Sequence, residues 1–415
     1  MKRWIVGVGT GLGLSLLLLS GAQAQAHKPA AKHAPAKPAA AAQVQDLVIR
    51  HSLQGKALDV LATQTLEFND TLKGKGRILL QNANSLSAAD KVWVPQAVLF
   101  DPDDATYFFP KQTPRFMPLY QVFKEGGETL NTSAFYPQIA DTVADDKGRI
   151  EALPLGMAIP VLFINKDAFT KAGLDPNKPP RTWMQVQDAA GKLQDAGYAC
   201  PLTSTYFARL HVENVATQHG QSVSGKGGKA ALNTLINVKH LALIASWQRS
   251  NYFRYYGPRR EAEDKFLSGE CAMITDDSTL FARLATNQNV NAGSTELPYH
   301  DDNYTVTPTK VLPDGASLWV VAGQKKADYK LLAHYIKFLL EPKNQSEWVK
   351  ATAYLPMDRA AMAALRQANA FSPALLDAAE KRLSDPHKDS GRIRDEAASA
   401  RLDGIVGDEV PRVWT

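Results

Sequence analysis

From Gly220 to Gly227 the chain reads GQSVSGKG, its nearest approach to a phosphate-binding loop. Such a loop needs a hydroxyl after the lysine to hold magnesium, and a strand before it. Here Gly227 stands in the hydroxyl's place, behind a helical pattern, so the segment reads as a plain loop. Neither the G-x-S-x-G elbow of a serine nucleophile nor the H-E-x-x-H helix of a zinc hydrolase is present. Asp101, Asp103 and Asp104, and again Asp301 and Asp302, could supply an acid/base pair or a calcium site, but they lack the Asp/Gly/Glu spacing of a calcium loop and read as solvated loops. Cys200 and Cys271 are the only cysteines. Two thiols without histidines at ligand spacing make no zinc site, and spacing alone leaves their pairing open. The residues therefore point away from an enzyme, and no cofactor or metal is expected.

The first residues decide where the protein works. Lys2 and Arg3 precede an apolar run from Trp4 to Leu19 and the small residues Gly21-Ala22-Gln23-Ala24. That is the layout of a secretory signal peptide, with cleavage expected after Ala24 and no lipid-accepting Cys following. Residues 25–43, rich in Ala, Pro and Lys, hold no acid and no aromatic and read as a disordered linker. Five basic residues precede position 44, which leaves 42 basic against 42 acidic residues of the total 47 and 42. A neutral folded body gives no support for a nucleic-acid face. The remaining chain, about 370 residues, is too long for one core and suits two lobes.

Strands are expected at 46–51, 77–80, 97–100, 160–165, 199–203, 271–275 and 316–322, from short apolar runs ending in polar residues. Helical patterns lie between them, including 167–173 with Asp167 as N-cap, 182–197, 206–219, 229–249, 259–267 and 325–340. Such alternation signals α/β lobes around largely parallel sheets, whose ligands sit at the carboxyl ends of strands.

PLYQVFKEGG, PVLFINKDAFTKAGLDPNKPPRTW, EDKFLSGECAM, DGASLWVV and EWVKATAYLP together, in this order, resemble the glycerol-phosphate branch of the extracellular solute-binding proteins of ABC importers, the family that includes the maltose-binding protein. The resemblance runs from about residue 46 to about 414. It implies a two-lobed α/β periplasmic binding protein fold with crossing hinge strands. The first lobe is expected from 44–159 and 276–340, the second from 160–275 and 341–415. It further implies a periplasmic monomer that binds sn-glycerol 3-phosphate, a related glycerophosphodiester or a sugar, and delivers it to membrane permease subunits. The alternative is a diverged binding fold acting as sensor or scaffold without import.

Carried over residue by residue, the resemblance implies a cleft lined by Gly315, whose bare backbone lets an amide approach an anion, and by Tyr354 of the YLP phrase. Ser278, after the CAM strand, corresponds to a cleft serine near a helix N-terminus. Asp103 takes the place of a glutamate. Tyr206 and Arg209 stand where the family has cleft tryptophans, and Arg401 lies two positions from a late arginine. The serine pair before PVL is replaced by Met157 and Ala158, so a phosphate clamp would fall to Arg209 or Arg401, of which Arg209 is the better placed because it stands at a cleft position of the family.

Overall fold

The computed structural model describes residues 45–83, 95–100, 116–145, 147–221, 231–302, 311–368, 371 and 373–384, with 405, 406, 408, 409 and 412. The expected signal peptide and linker lie outside these residues.

The strands are β1 (Gln45–His51), β2 (Gly76–Asn82), β3 (Ala97–Phe100), β4 (Phe116–Met117), β5 (Leu153–Ala158), β6 (Pro160–Asn165), β7 (Cys200–Ser204), β8 (Phe253–Arg254), β9 (Cys271–Asp277), β10 (Ala292–Glu296) and β11 (Asp314–Val321). Among the described residues they form two sheets. The first has the order β2-β1-β3-β11-β4, with β5 also on β11; β1 runs parallel to β2 and β3, whereas β11 is antiparallel to its neighbours. In the second, β10-β6-β9-β7-β8, the strands β7, β8 and β9 are parallel, and β6 is antiparallel to β9 and β10.

Both faces of the second sheet are covered. Leu162 and Ile164 of β6 join Trp183, Leu202, Phe253 and Met273 on one side, while Val161 and Phe163 join Phe266, Ile274 and Leu280 on the other. Residues two apart share a face, so burial on both sides requires the unbroken apolar run PVLFI. The first sheet carries its own core of Leu47, Ile49, Val98, Leu318, Tyr335 and Ile336, closed by helices Gly55–Thr71 and Lys326–Leu339.

Several expectations need correction. The helix after β6 is capped by Asn165, whose side chain accepts from the amides of Asp167 and Ala168; Asp167 lies inside the first turn. The pattern at 206–219 is a π-helical turn, Ala208–Asn214, running into Val215–Gln218, and the pattern at 259–267 is helical only over Glu263–Leu267. The lobe boundaries also move. β10 pairs with β6, and Leu280 and Val290 pack in a second-sheet cluster, although 276–340 was assigned to the first lobe. Helices Pro342–Thr352, Arg359–Gln367 and Pro373–Leu383 bury Trp348, Met362, Leu365, Leu376 and Leu383 in the first core, although 341–415 was assigned to the second. An amphipathic helix shows an apolar face without showing which of two cores it covers.

β7 and β9 place Cys200 opposite Cys271, and the two form a disulfide across 71 residues of sequence. Cross-linking so long a loop removes many unfolded conformations, and replacing both by Ser is expected to lower unfolding free energy by about 3 kcal/mol. Urea denaturation of the double variant checks this; an unchanged midpoint would show the bond to be dispensable.

Candidate functional site

The chain passes between the sheets at a single residue, Ile159, from the end of β5 to the start of β6. β9 ends beside this passage and is followed by Ser278, and β11 begins next to both, with Asp314 opposite Ala158 and Asp277 opposite Pro160. Ser278 ties the passage to the end of β9: its amide donates to the Ile159 carbonyl at 2.8 Å, and the Ile159 amide donates to its hydroxyl at 3.3 Å. The helix beyond it, Leu280–Leu284, is a single short turn. Ser278 is therefore a fastening of the crossing, with its hydroxyl oxygen accepting from backbone.

On the first-sheet side, Gly315 sits at φ +144°, and a Cβ built there would lie 1.6 Å from the Gly156 carbonyl oxygen. The glycine is required by this close approach of β5 and β11. Its amide donates to the carboxylate of neighbouring Asp314 at 2.8 Å, so that donor faces an acid. Tyr354 packs on the same spot. Its ring carbons lie 3.1 Å from where a Cβ of Gly156 would be, it stacks on Trp348 with centroids 5.8 Å apart, and the next amide, of Leu355, donates to the Met157 carbonyl at 2.7 Å. Ala353, at φ +54°, turns the helix end so that the tyrosine reaches this place. Tyr354 remains half-buried.

On the second-sheet side, Tyr206 adopts φ +38°, uncommon for a bulky residue, and opens the π-helical turn. Both features recur at functional sites. Arg209 lies over the Tyr206 ring, 4.2 Å from its centroid, and Arg260 lies at 5.1 Å. The Arg209 guanidinium reaches Asp277 at 3.0 Å and Asp314 at 3.4 Å, while Arg260 reaches Asp277 at 3.1 Å and also pairs with Glu263. Burial works against the charge on Arg209, but the Asp314 and Asp277 carboxylates override it and keep the group protonated. Burial likewise opposes ionisation of Asp277, yet Arg260 and Arg209 hold its carboxyl below the usual range. Asp276 behaves in the opposite way. Fully buried beside the charge of Asp277, it is pushed well above the carboxylate range, and the Thr205 hydroxyl contacts it at 2.5 Å.

The structure thus gathers Tyr354, Gly315, Arg209, Tyr206 and Ser278 around the crossing. Asp103 and Arg401 lie outside the described residues, as do Asp101 and Asp104. Asp302 is ion-paired with Lys239. Among the described residues, no group of three or more His, Cys, Asp and Glu is placed to hold a metal ion, and no helix is long and apolar enough to cross a membrane. Sequence reading missed Asp277, Asp314 and Arg260 as site residues. The signal was the pair Asp276-Asp277 closing one strand and Asp314 opening another, since polar residues at the ends of apolar strands converge in α/β folds.

Three comparisons bear on this arrangement. Residues 77–371 match the family model described as bacterial extracellular solute-binding protein. The sn-glycerol-3-phosphate-binding periplasmic protein of Pectobacterium atrosepticum is 34% identical over 309 residues, which cover 72% of this chain and 69% of that protein. Its namesake from Salmonella typhimurium is 32% identical over 384 residues, covering 88% of this chain and 86% of the relative. Among solved structures, an ABC transporter solute-binding protein from Agrobacterium radiobacter in complex with ribitol is similar in fold, with a TM-score of 0.68 at 20% identity, covering 89% of this chain and 94% of its own.

Proposed function

This chain belongs to the bacterial extracellular solute-binding proteins, and on that premise we propose that it is the periplasmic, monomeric receptor of an ABC importer for sn-glycerol 3-phosphate or a related glycerophosphodiester. The observation that carries the reading is that Tyr354 and Gly315, beside β5 and β11, are linked through Asp314 and Arg209 to Tyr206 at the crossing of the two sheets. Aromatic faces from both sides of a hinge suit a small polyol, and hinge closure couples its binding to a shape that permeases recognise. The names of the relatives supply the phosphate. A neutral sugar or polyol is the second reading, favoured by one observation: the Arg209 guanidinium is committed to two carboxylates, which oppose a third anion.

Calorimetric titration with sn-glycerol 3-phosphate, glycerophosphocholine, glycerol and maltose separates the readings. We expect the phosphate ligands to bind and Tyr354→Ala to weaken them about tenfold, equivalent to about 1.4 kcal/mol, with the fold retained. Binding of maltose alone would reject the phosphate reading. Unchanged affinity in a destabilised Tyr354→Ala protein would make the tyrosine a packing residue.

A further inference from the structure

We infer that Arg209 is a positioning residue for the hinge, a strut whose one guanidinium joins the end of β9 in the second sheet to the start of β11 in the first. Nη2 meets Asp277 and Nη1 meets Asp314, so the fork is divided between the two sheets. The strut is one link in a continuous file of alternating charge: Arg283 to Glu263, Glu263 to Arg260, Arg260 to Asp277, Asp277 to Arg209, and Arg209 to Asp314. Every link but the last stays among residues of the second-sheet side, which makes Arg209–Asp314 the joint where the file crosses over.

The anchoring is stiff at both ends. Asp277 is fixed by the amide and hydroxyl of Thr279, and Arg209 rests on the Tyr206 ring. The Arg209 carbonyl accepts from Asn214, whose own side-chain oxygen accepts from the amide of Leu312, two residues before Asp314. The π-helical turn is thus bound to the segment entering β11 by two routes, the Asn214 side chain accepting from the Leu312 amide and an ion pair. The arginine is 13% exposed and both acids are no more exposed than that, so water screens the pair little. Removal of the guanidinium would leave Asp314 and Asp277 facing each other across the hinge without the charge between them. Lysine, a point charge without a fork, can hold one acid or the other. The assignment rests on the chain being a two-lobed binding protein that works by hinge motion, and makes Arg209 a determinant of that motion rather than the phosphate clamp.

Its test reads the hinge without ligand. Spin labels on Lys192→Cys and Ala327→Cys, exposed positions on helices of the two sheets, report the interlobe distance in the full chain. We expect Arg209→Gln and Asp314→Asn each to shift or broaden the distance distribution, Arg209→Lys to recover part of it, and the two variants combined to give less than the sum of the single effects. In parallel, affinity for sn-glycerol 3-phosphate should fall about tenfold in Arg209→Gln, as coupling between a hinge equilibrium and a ligand requires. Folded Arg209→Gln and Asp314→Asn proteins with the parent distance distribution would overturn the assignment. So would a misfolded Arg209→Gln beside an Asp314→Asn that keeps the parent distances, because the arginine would then serve the second sheet alone. Absence of sn-glycerol 3-phosphate binding in the parent protein rejects the ligand and leaves the distance comparison decisive for the strut.

Discussion

Acidification from pH 7 towards pH 4 is expected to destabilise this protein by a few kcal/mol for every pH unit, through a file of buried histidines beneath the second sheet. His211 Nδ1 lies 2.9 Å from His240 Nε2, His240 Nδ1 lies 3.1 Å from His300 Nε2, and the His300 amide donates to His219 Nε2 at 3.2 Å. The far nitrogen of His211 is held by the hydroxyls of Ser204 and Thr275, and Trp183 packs against three of the rings. In a shared His–His hydrogen bond one ring donates and the next accepts, which neutral imidazoles satisfy and two imidazolium rings cannot. Burial pushes His211 down to about 3, and burial, with the neighbouring rings and Lys239, pushes His240 well below the usual imidazole value. His219 and His300 fall to about 4, mainly by burial; the His300 ring and then Lys239 lower His219 further, Lys239 lowers His300, and Asp302 acts the other way on both. The unfolded chain takes up these protons near pH 6.5, whereas the folded one resists until about pH 4 or below. Stability is therefore complete above pH 6.5 and declines as the pH falls towards the folded values, by about 1.4 kcal/mol per pH unit for each histidine. Urea unfolding at a series of pH values measures the slope. His300→Gln should reduce it by about one proton, and an identical slope in that variant would show that the histidines are not responsible.

Gly315→Ala is expected to cost more than about 4 kcal/mol and to abolish ligand binding, the largest effect of any single substitution considered. The methyl would enter the Gly156 carbonyl at 1.6 Å, where backbone rather than a flexible side chain must yield. A backbone at φ +144° is also one that alanine rarely adopts. Separation of β5 from β11 would displace Asp314, Gly156 and the Tyr354 ring together. Gly173→Ala is the matching control, since it also has positive φ, +68°, but open space around its Cβ position. Conformational strain alone should cost that variant about 1–2 kcal/mol. Equal denaturation midpoints for the two would show that the β5–β11 contact is slack, contrary to the geometry.

The apolar strand runs and the helical periodicities pointed to the α/β class, because each is a local consequence of which residues must leave water, and the length of the chain pointed to two lobes. The resemblance around GASLW and YLP located Gly315 and Tyr354, and the structure puts them in one place. Residue type could not say what Arg209 would face. A guanidinium beside a cleft suits a phosphate as well as it suits a carboxylate, and the acids that claim it lie 68 and 105 positions away. Nor could residue type show that the Ser278 hydroxyl oxygen would accept from the Ile159 amide, 119 positions away, because that depends on the chain passing beside it. The histidine file was invisible for the same reason: 211, 219, 240 and 300 have no common period, and three separate segments bring them together. The closing helices 342–383 show their apolar faces in sequence, but which core they cover depends on how the chain returns after β11, a choice made by packing over long range. Sequence determined the kinds of surface that had to be buried; tertiary structure alone determined which charged and polar groups met at the crossing, since ion pairs and shared hydrogen bonds depend on distances that periodicity does not record.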